Sequence, residues 1–350
     1  MSARSLDARS LKVGVVGATG LVGQEMLRIL EERAFPVTTL RVYASPRSEG
    51  RKLAFAGGEV TCEVLGDGCF DGLDLVVIDV DDPLALEWAP KAAAAGATVV
   101  DNSAAFRMEP DVPLVVAEVN PDDVHDAPRR IVSCPNCTTM VLVTALAPLH
   151  RAVGIERLVV STYQSVSGGG RAGLDELAEQ WTKGAGREES LRRAAVVTGA
   201  LEPGDVWDRP IAGNVIPLAG SVREAGRTSE ELKLVSESRK ILHAPDLRVA
   251  GTCVRVPVYV GHSISANVEF SGAMTRDDAA AILASAPGVS LIDDGNGSPT
   301  PLEGAGIDPV LVGRLRADPT QPNTIDLWVT GDNLRKGAAL NAVQLAELLL

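Results

Sequence analysis

Along the first third of the chain, short apolar runs rich in Val and Ile alternate with stretches in which apolar residues return every three or four positions. The runs are LKVGVVG (11–17), TLRVYA (39–44), DLVVIDV (74–80), ATVVDNS (97–103) and RRIVS (129–133). Each is short, and each is bounded by Gly, Asp, Asn, Ser or Pro, so the pattern predicts strands. Between them, GLVGQEMLRILEER places apolar residues at 21, 22, 26, 27, 29 and 30. That spacing is one face of a helix over 21–34, and a second helix is predicted over 83–95. Strand, helix, strand order calls for a parallel, doubly wound sheet with helices on both faces.

The texture changes after Cys137. A helix over 137–151 leads into GIERLVVSTYQSVSGGG (154–170), followed by a loop-rich stretch over 183–228. GTCVRVPVYV (251–260), HSISANVEFSG (262–272), PVLVGRLRAD (309–318) and NTIDLWVTGDN (323–333) then read as strands. Strands gathered apart from helices predict an α+β domain with a mainly antiparallel or mixed sheet. The last segment, NLRKGAALNAVQLAELLL, reads as a helix starting near Asp332 or Asn333, both good caps. The expected fold is therefore α/β: an N-terminal Rossmann-type dinucleotide-binding domain of residues 1–136 and 331–350, the C-terminal helix returning to it, and a second domain over 137–330.

A length of 350 residues suits two cores, and 45% hydrophobic with 23% charged residues is ordinary globular composition. A net charge of −13 without any Lys/Arg run argues against nucleic acid or an acidic membrane surface as a partner. The N-terminus MSARSLDARS lacks an apolar core, and no stretch supplies the roughly 20 apolar residues that span a bilayer. Five cysteines, odd in number and sparse, fit a reducing compartment better than a disulfide framework. The reading is cytoplasmic.

In VGVVGATGLVGQEM, Gly17, Gly20 and Gly23 follow a strand and open a helix. Glycines are required there by unusual dihedrals and by the approach of a pyrophosphate to the amides of a helix start, so the segment Gly17, Ala18, Thr19, Gly20, Leu21, Val22 and Gly23 is the expected cofactor loop. At the end of the second strand a site for NAD usually carries an acid for the ribose 2′-hydroxyl. Here VYASPRSEGRK offers Ser45, Arg47 and Ser48, hydroxyls and a guanidinium suited to a 2′-phosphate, with Glu49 close behind. NADP is favoured over NAD.

SCPNCTTM (133–140) holds two cysteines three apart. A redox pair needs a resolving thiol at a helix start, and zinc needs about four ligands. No second cysteine pair exists, and the four histidines (125, 150, 243 and 262) are scattered, which counts against a metal. Cys137 opens an apolar helix, where free amides and the macrodipole lower a thiol pKa and can hold an oxyanion. It fits a nucleophile better than a ligand.

GATGLVG, DNSAAFRM, PLVVAEVNPDDV, PNCTTM, STYQSVSGGGRAG, NVIPLAG, EELKLVSESRKIL, VRVPVYVGHS and DNLRKGAALNAVQLAE together resemble the aspartate-β-semialdehyde dehydrogenase family, block after block in the same order, nearly the whole chain from Lys12. The resemblance implies an NADP-dependent enzyme that makes aspartate semialdehyde from L-aspartyl 4-phosphate by reductive dephosphorylation, releasing phosphate, on the diaminopimelate route to lysine and toward methionine and threonine. It implies a homodimer or homotetramer whose second domain is catalytic and dimerising. Residue by residue, it implies Cys137 as nucleophile through a thioacyl intermediate, Gln164 beside it and His262 as acid/base. Arg255 is expected on the substrate carboxylate and Glu230 on its ammonium, with Arg107, Asn136 and Lys233 around the phosphate. Ser167, Gly168, Gly169 and Asn333 are expected to border the cofactor. The chain departs from the family at Cys134, which leaves room for a silencing disulfide with Cys137.

Each implied role also has a physical case. A thiolate can displace phosphate from an acyl phosphate to leave a thioester, and a histidine titrates near neutrality. Two alternatives stand beside this reading. N-acetyl-γ-glutamyl-phosphate reductase runs similar chemistry on a substrate with no ammonium for Glu230 to bind. A non-catalytic paralogue acting as a binding protein would have no need to keep Cys137, Gln164, Arg255 and His262 together.

Overall fold

The computed structural model describes residues 10–194, 199–292 and 298–349, so residues 1–9 of the N-terminal stretch lie outside it. The chain divides into two compact units. The first comprises residues 1–144, 236–245 and 334–350, and the second residues 145–235 and 246–333. Compared with the expected boundaries, the first turns of the helix at Cys137 and residues 236–245 group with the first unit.

The first unit is built on a seven-stranded sheet of β1 (Leu11–Val16), β2 (Val37–Tyr43), β3 (Lys52–Phe55), β4 (Gly58–Glu63), β5 (Leu75–Ile78), β6 (Thr98–Asp101) and β7 (Ile131–Ser133). Their order is β3-β4-β2-β1-β5-β6-β7, and every pairing except β3 with β4 is parallel. The strand order reverses direction at β1, which puts the topological switch point at its carboxyl end. Helix α1 (Leu21–Glu32) follows β1 and buries Met26, Leu27, Ile29 and Leu30. Helix α2 (Asp82–Ala94) turns Ala85, Ala89 and Ala92 inward, small residues packed in one core with Val76, Ile78 and Val99. Helix α3 (Cys137–Val153) leaves β7 and ends in the second unit.

The second unit carries a six-stranded mixed sheet of β8 (Ile155–Gln164), β9 (Arg248–Arg255), β10 (His262–Phe270), β11 (Val289–Leu291), β12 (Val310–Ala317) and β13 (Thr324–Gly331), ordered β11-β12-β13-β10-β8-β9. The three central pairings are antiparallel and the two outer ones parallel. Along β8, buried and half-buried positions alternate, as a sheet with one covered face requires. Helices α4 (Gly170–Gly184), α5 (Glu188–Ala194), α6 (Ser229–Ile241), α7 (Arg276–Ala284) and α8 (Pro301–Gly304) complete the connections, and α9 (Leu340–Leu348) closes the chain. Among the described residues no helix is long and apolar enough to cross a membrane.

The final helix corrects one expectation. The helical segment opens with Leu334 at the N-cap position, which makes no side-chain cap bond, while Asp332 Oδ2 accepts the amide of Gly306 (2.7 Å) and Asn333 Oδ1 is bonded within the second unit, as described below. A π-helical turn over Arg335–Ala339 precedes α9 instead. Its buried Arg335 pairs with Glu25 and Glu32 (both 2.8 Å), and its buried Lys336 pairs with Glu118. These ion pairs set the entry into α9 in place of a cap.

Candidate active site

In the first unit, the turn from β1 to α1 is pressed against its surroundings. Gly17 has φ +89°, and a Cβ there would lie 2.1 Å from the carbonyl oxygen of Asp79. A Cβ on Gly23 would lie 2.4 Å from the Gly17 carbonyl. Two of the three glycines are thus demanded by packing, whereas Gly20 is exposed and forms the N-cap of α1 without a side-chain hydrogen bond. The amides of Gly17 and Ala18 donate to Tyr43 O (2.9 and 3.2 Å), fixing the turn to the end of β2, and Thr19 O takes the Gln24 side chain (2.9 Å). Leu21, Val22 and Gly23 are the first residues of a helix start with no side-chain cap, whose amides have no intrahelical partners and so suit an anion. Just beyond β2, Ser45 caps a short 3-10 turn over Pro46–Ser48; Ser45 and Arg47 are exposed and Ser48 is half-buried. These features fit a dinucleotide.

The same sheet delivers Cys137. From Ile131 to Ala147 every residue is buried except Cys137, the first residue of α3. Asn136 caps that helix, its Oδ1 accepting from the amides of Thr138 (3.0 Å) and Thr139 (3.4 Å). Cys134 is different in kind: it is buried, Asn341 Nδ2 lies 3.5 Å from its Sγ, and burial pushes its thiol up to about 12. Of the two thiols in the motif, only Cys137 combines exposure with a helix start.

Arg107 lies near this helix start, 7% exposed. Its Nη1 donates to Glu237 Oε1 (3.0 Å) and its Nη2 to Asn102 O (2.8 Å), while Nε has no hydrogen-bond partner among the described residues. Burial opposes its charge, but Glu237 and the field of Cys137 more than offset this and hold its pKa above the ordinary value. The second oxygen of Glu237 accepts the amide of Asn136 (2.7 Å). Glu237 was not singled out from the sequence, where a glutamate on a charged helix looks like part of a solvated face.

In the second unit, strand register assembles another set. Parallel pairing sets Gln164 opposite Arg255 at the ends of β8 and β9, and the antiparallel β10 begins at His262 beside that end of β8. The Gln164 side chain takes a hydrogen bond from Thr162 (3.0 Å) and donates to Glu230 (3.3 Å), whose other oxygen accepts from Lys233 Nζ (2.9 Å). Arg255 Nη1 donates to Ser165 O (2.6 Å), and a Cβ on Gly168 would come within 2.8 Å of that nitrogen. His262 is fully buried, and its Nδ1 lies 3.1 Å from both the amide nitrogen and the hydroxyl of Ser165. Because an amide can only donate, Nδ1 is an acceptor and the ring proton sits on Nε2. Burial, then the Arg255 cation, lower the imidazole pKa to about 3 against an opposing pull from Glu230.

Asn333 holds this turn in shape. Its Oδ1 accepts from Ser165 Oγ (2.9 Å), Ser167 Oγ (3.1 Å) and the amide of Gly261 (2.9 Å). The first unit therefore brings together Arg107, Asn136 and Cys137, with Ser45, Arg47 and Ser48 near the glycine turn. The second brings together Gln164, Glu230, Lys233, Arg255 and His262, with Ser167, Gly168, Gly169 and Asn333 in the adjoining turn.

A parallel sheet with an anion-ready turn at its switch point, joined to a second sheet that ends in a buried Gln–Arg–His set, defines a dinucleotide-dependent oxidoreductase. Residues 12–127 match the family model described as semialdehyde dehydrogenase, NAD binding domain, and residues 146–336 match semialdehyde dehydrogenase, dimerisation domain. The aspartate-semialdehyde dehydrogenase of Streptomyces akiyoshiensis is 51% identical over 341 residues, covering 97% of this chain and 98% of its own. That of Corynebacterium glutamicum is 49% identical over 348 residues, covering 97% and 99%. Among solved structures, aspartate semialdehyde dehydrogenase II from Vibrio cholerae complexed with ASA superposes with a TM-score of 0.91 at 41% identity, covering 98% of each chain. The chain belongs to the aspartate-semialdehyde dehydrogenase family.

Proposed function

We propose that the protein reductively dephosphorylates L-aspartyl 4-phosphate to L-aspartate 4-semialdehyde, with NADP as cofactor and Cys137 as the acyl carrier. The reading places it in the cytoplasm as a homodimer or homotetramer, on the route to lysine, methionine and threonine. The observation that carries the mechanism is the isolation of Cys137 as the one accessible residue at an otherwise buried helix start.

The Cys137 thiolate attacks the acyl carbon; the C–O bond to phosphate breaks and a thioester remains, with the dipole of the α3 N-terminus favouring negative charge nearby. The thioester is the acceptor for the hydride that a reduced nicotinamide held at the glycine turn would supply. His262, neutral with its proton on Nε2, donates a hydrogen bond to the developing oxyanion and keeps its proton; as the carbonyl re-forms, the C–S bond breaks and frees aldehyde and thiolate. Gln164, held between Thr162 and Glu230, is the third catalytic group. Arg255 takes the substrate carboxylate as a bidentate partner, Glu230 its ammonium, and Arg107, Asn136 and Lys233 its phosphate. Leu21, Val22 and Gly23 would offer amides to the cofactor pyrophosphate, Ser45, Arg47 and Ser48 would hold its 2′-phosphate, and Ser167, Gly168, Gly169 and Asn333 would border it.

The test is the reverse reaction: aspartate semialdehyde, NADP and phosphate with purified protein under reducing conditions, followed by NADPH absorbance. Turnover that needs all three is expected. Activity on N-acetylglutamate semialdehyde instead would overturn the assignment.

A further inference from the structure

We propose that Glu237 is a positioning residue that sets the ionisation of Cys137, by partly cancelling the field of Arg107 and by anchoring the N-cap of α3. The proposal rests on the reading of Cys137 as the working thiol. Glu237 is 2% exposed, and its two oxygens go to two different functions. Oε1 accepts from Arg107 Nη1 at 3.0 Å, and Oε2 accepts from the amide of Asn136 at 2.7 Å, the residue directly before the thiol.

The electrostatic consequence follows from position. Arg107 and Cys137 feel one another's charge, so the cation favours the thiolate. Glu237, bonded to that cation and to the residue next to the thiol, opposes it. A buried arginine beside a thiol at a helix start favours the thiolate, and a thiolate made too stable is a weaker nucleophile. Glu237, by opposing that cation, limits the effect. Other charged or titratable groups around this cluster in the first unit are Asp101, at the end of β6, which acts on Arg107; Lys240 of α6, whose Nζ donates to Arg107 O (2.8 Å); the buried Cys134; and Lys336, which acts on Cys134. None of them bridges Arg107 to the Asn136 amide.

The test measures the rate of Cys137 alkylation by iodoacetamide against pH, read on the Cys137 peptide by mass spectrometry in the full-length protein. Glu237→Gln keeps the size but removes the charge and one of the two accepted hydrogen bonds, so with the Arg107 field less opposed the alkylation midpoint should fall by about one pH unit. Arg107→Gln should raise it. The double variant, with neither charge, should return near wild type, and Glu237→Asp should restore most of the wild-type midpoint. A merely structural role would not produce shifts of opposite sign. An unchanged or raised midpoint in Glu237→Gln would overturn the proposal. Should that single variant fail to fold, the neutral pair decides: a midpoint as high as that of Arg107→Gln alone would show that Glu237 contributes nothing. If Cys137 in the wild-type protein does not alkylate at all, it is the reading of the thiol that fails and not the role of Glu237.

Discussion

Replacing His262 with Gln should make the protein relatively more stable in mild acid, and the size of the effect follows from burial. In the unfolded chain an imidazole titrates near 6.5, whereas in the folded chain burial and Arg255 lower it to about 3. A histidine with a depressed folded pKa contributes stability that is present above pH 6.5 and lost as the pH falls through the window from 6.5 to 3. At pH 5.5 the unfolded state binds this proton and the folded state does not, which favours unfolding by about 1.4 kcal/mol; at pH 8 the same contribution is close to zero. Glutamine carries no such proton, and its side-chain oxygen can still accept from the Ser165 amide.

The whole-protein pH profile will not reveal this. Burial raises Asp79 and Asp101 to about 6 each, so on acidification each adds about 0.8 kcal/mol of stability at pH 5.5, with the opposite sign. Only the difference between wild type and His262→Gln isolates the histidine. Urea unfolding followed by tryptophan fluorescence suits the measurement, because Trp181, Trp207 and Trp328 all lie in the second unit with His262. The gap between the two proteins should move in favour of the variant by about 1.4 kcal/mol between pH 8 and pH 5.5. A gap that does not change with pH would show that His262 keeps an ordinary pKa. A change of opposite sign would show an imidazolium paired in the folded state, and either result would overturn the burial-lowered imidazole pKa.

Cys137→Ser should abolish turnover while Cys134→Ser keeps most of it, measured as NADPH formation, since only Cys137 is accessible; equal losses would favour a dithiol mechanism. Arg47→Asp should raise the dissociation constant for NADP at least tenfold more than that for NAD, by direct titration, because the proposed reading assigns this cation to the 2′-phosphate and the variant puts an anion there. An unchanged ratio would sink that assignment. Arg255→Lys keeps the charge but loses the fork, so it should raise KM and lower kcat for aspartate semialdehyde while leaving NADP titration near wild type. A matching loss of NADP affinity would make Arg255 a structural or cofactor residue.

Much of the fold is legible where apolar periodicity is strong. Strands β1, β5 and β6 are nearly continuous apolar runs, which is how buried parallel strands read. The β3–β4 hairpin was not, because RKLAFAGGEVTCEV mixes charged and apolar residues on an exposed edge. Its signal was the turn itself, where Ala56 and Gly57 both take positive φ, 51° and 74°, as a two-residue hairpin needs. The last helical segment starts close to where the residue types place it, with Leu334 at the N-cap position and a π-helical turn that residue type does not signal; the bonds of Asp332 and Asn333 to Gly306, Gly261, Ser165 and Ser167 join residues far apart in sequence. The individual site residues were named from the motifs, but their couplings were not visible. That Gln164 and Arg255 share a register position depends on a parallel pairing of strands more than eighty residues apart. Ser165 was hidden for the same reason: its amide matters only because β10 returns His262 to it.

The central claim is that Cys137 carries the acyl group. Wild-type protein given aspartate semialdehyde and NADP without phosphate should release one equivalent of NADPH per subunit in a burst and then stall. Peptide mass spectrometry of the quenched protein should find a single aspartyl group on Cys137, lost again when phosphate is added. Steady turnover without phosphate, or a burst with the acyl group on any residue other than Cys137, would contradict the account.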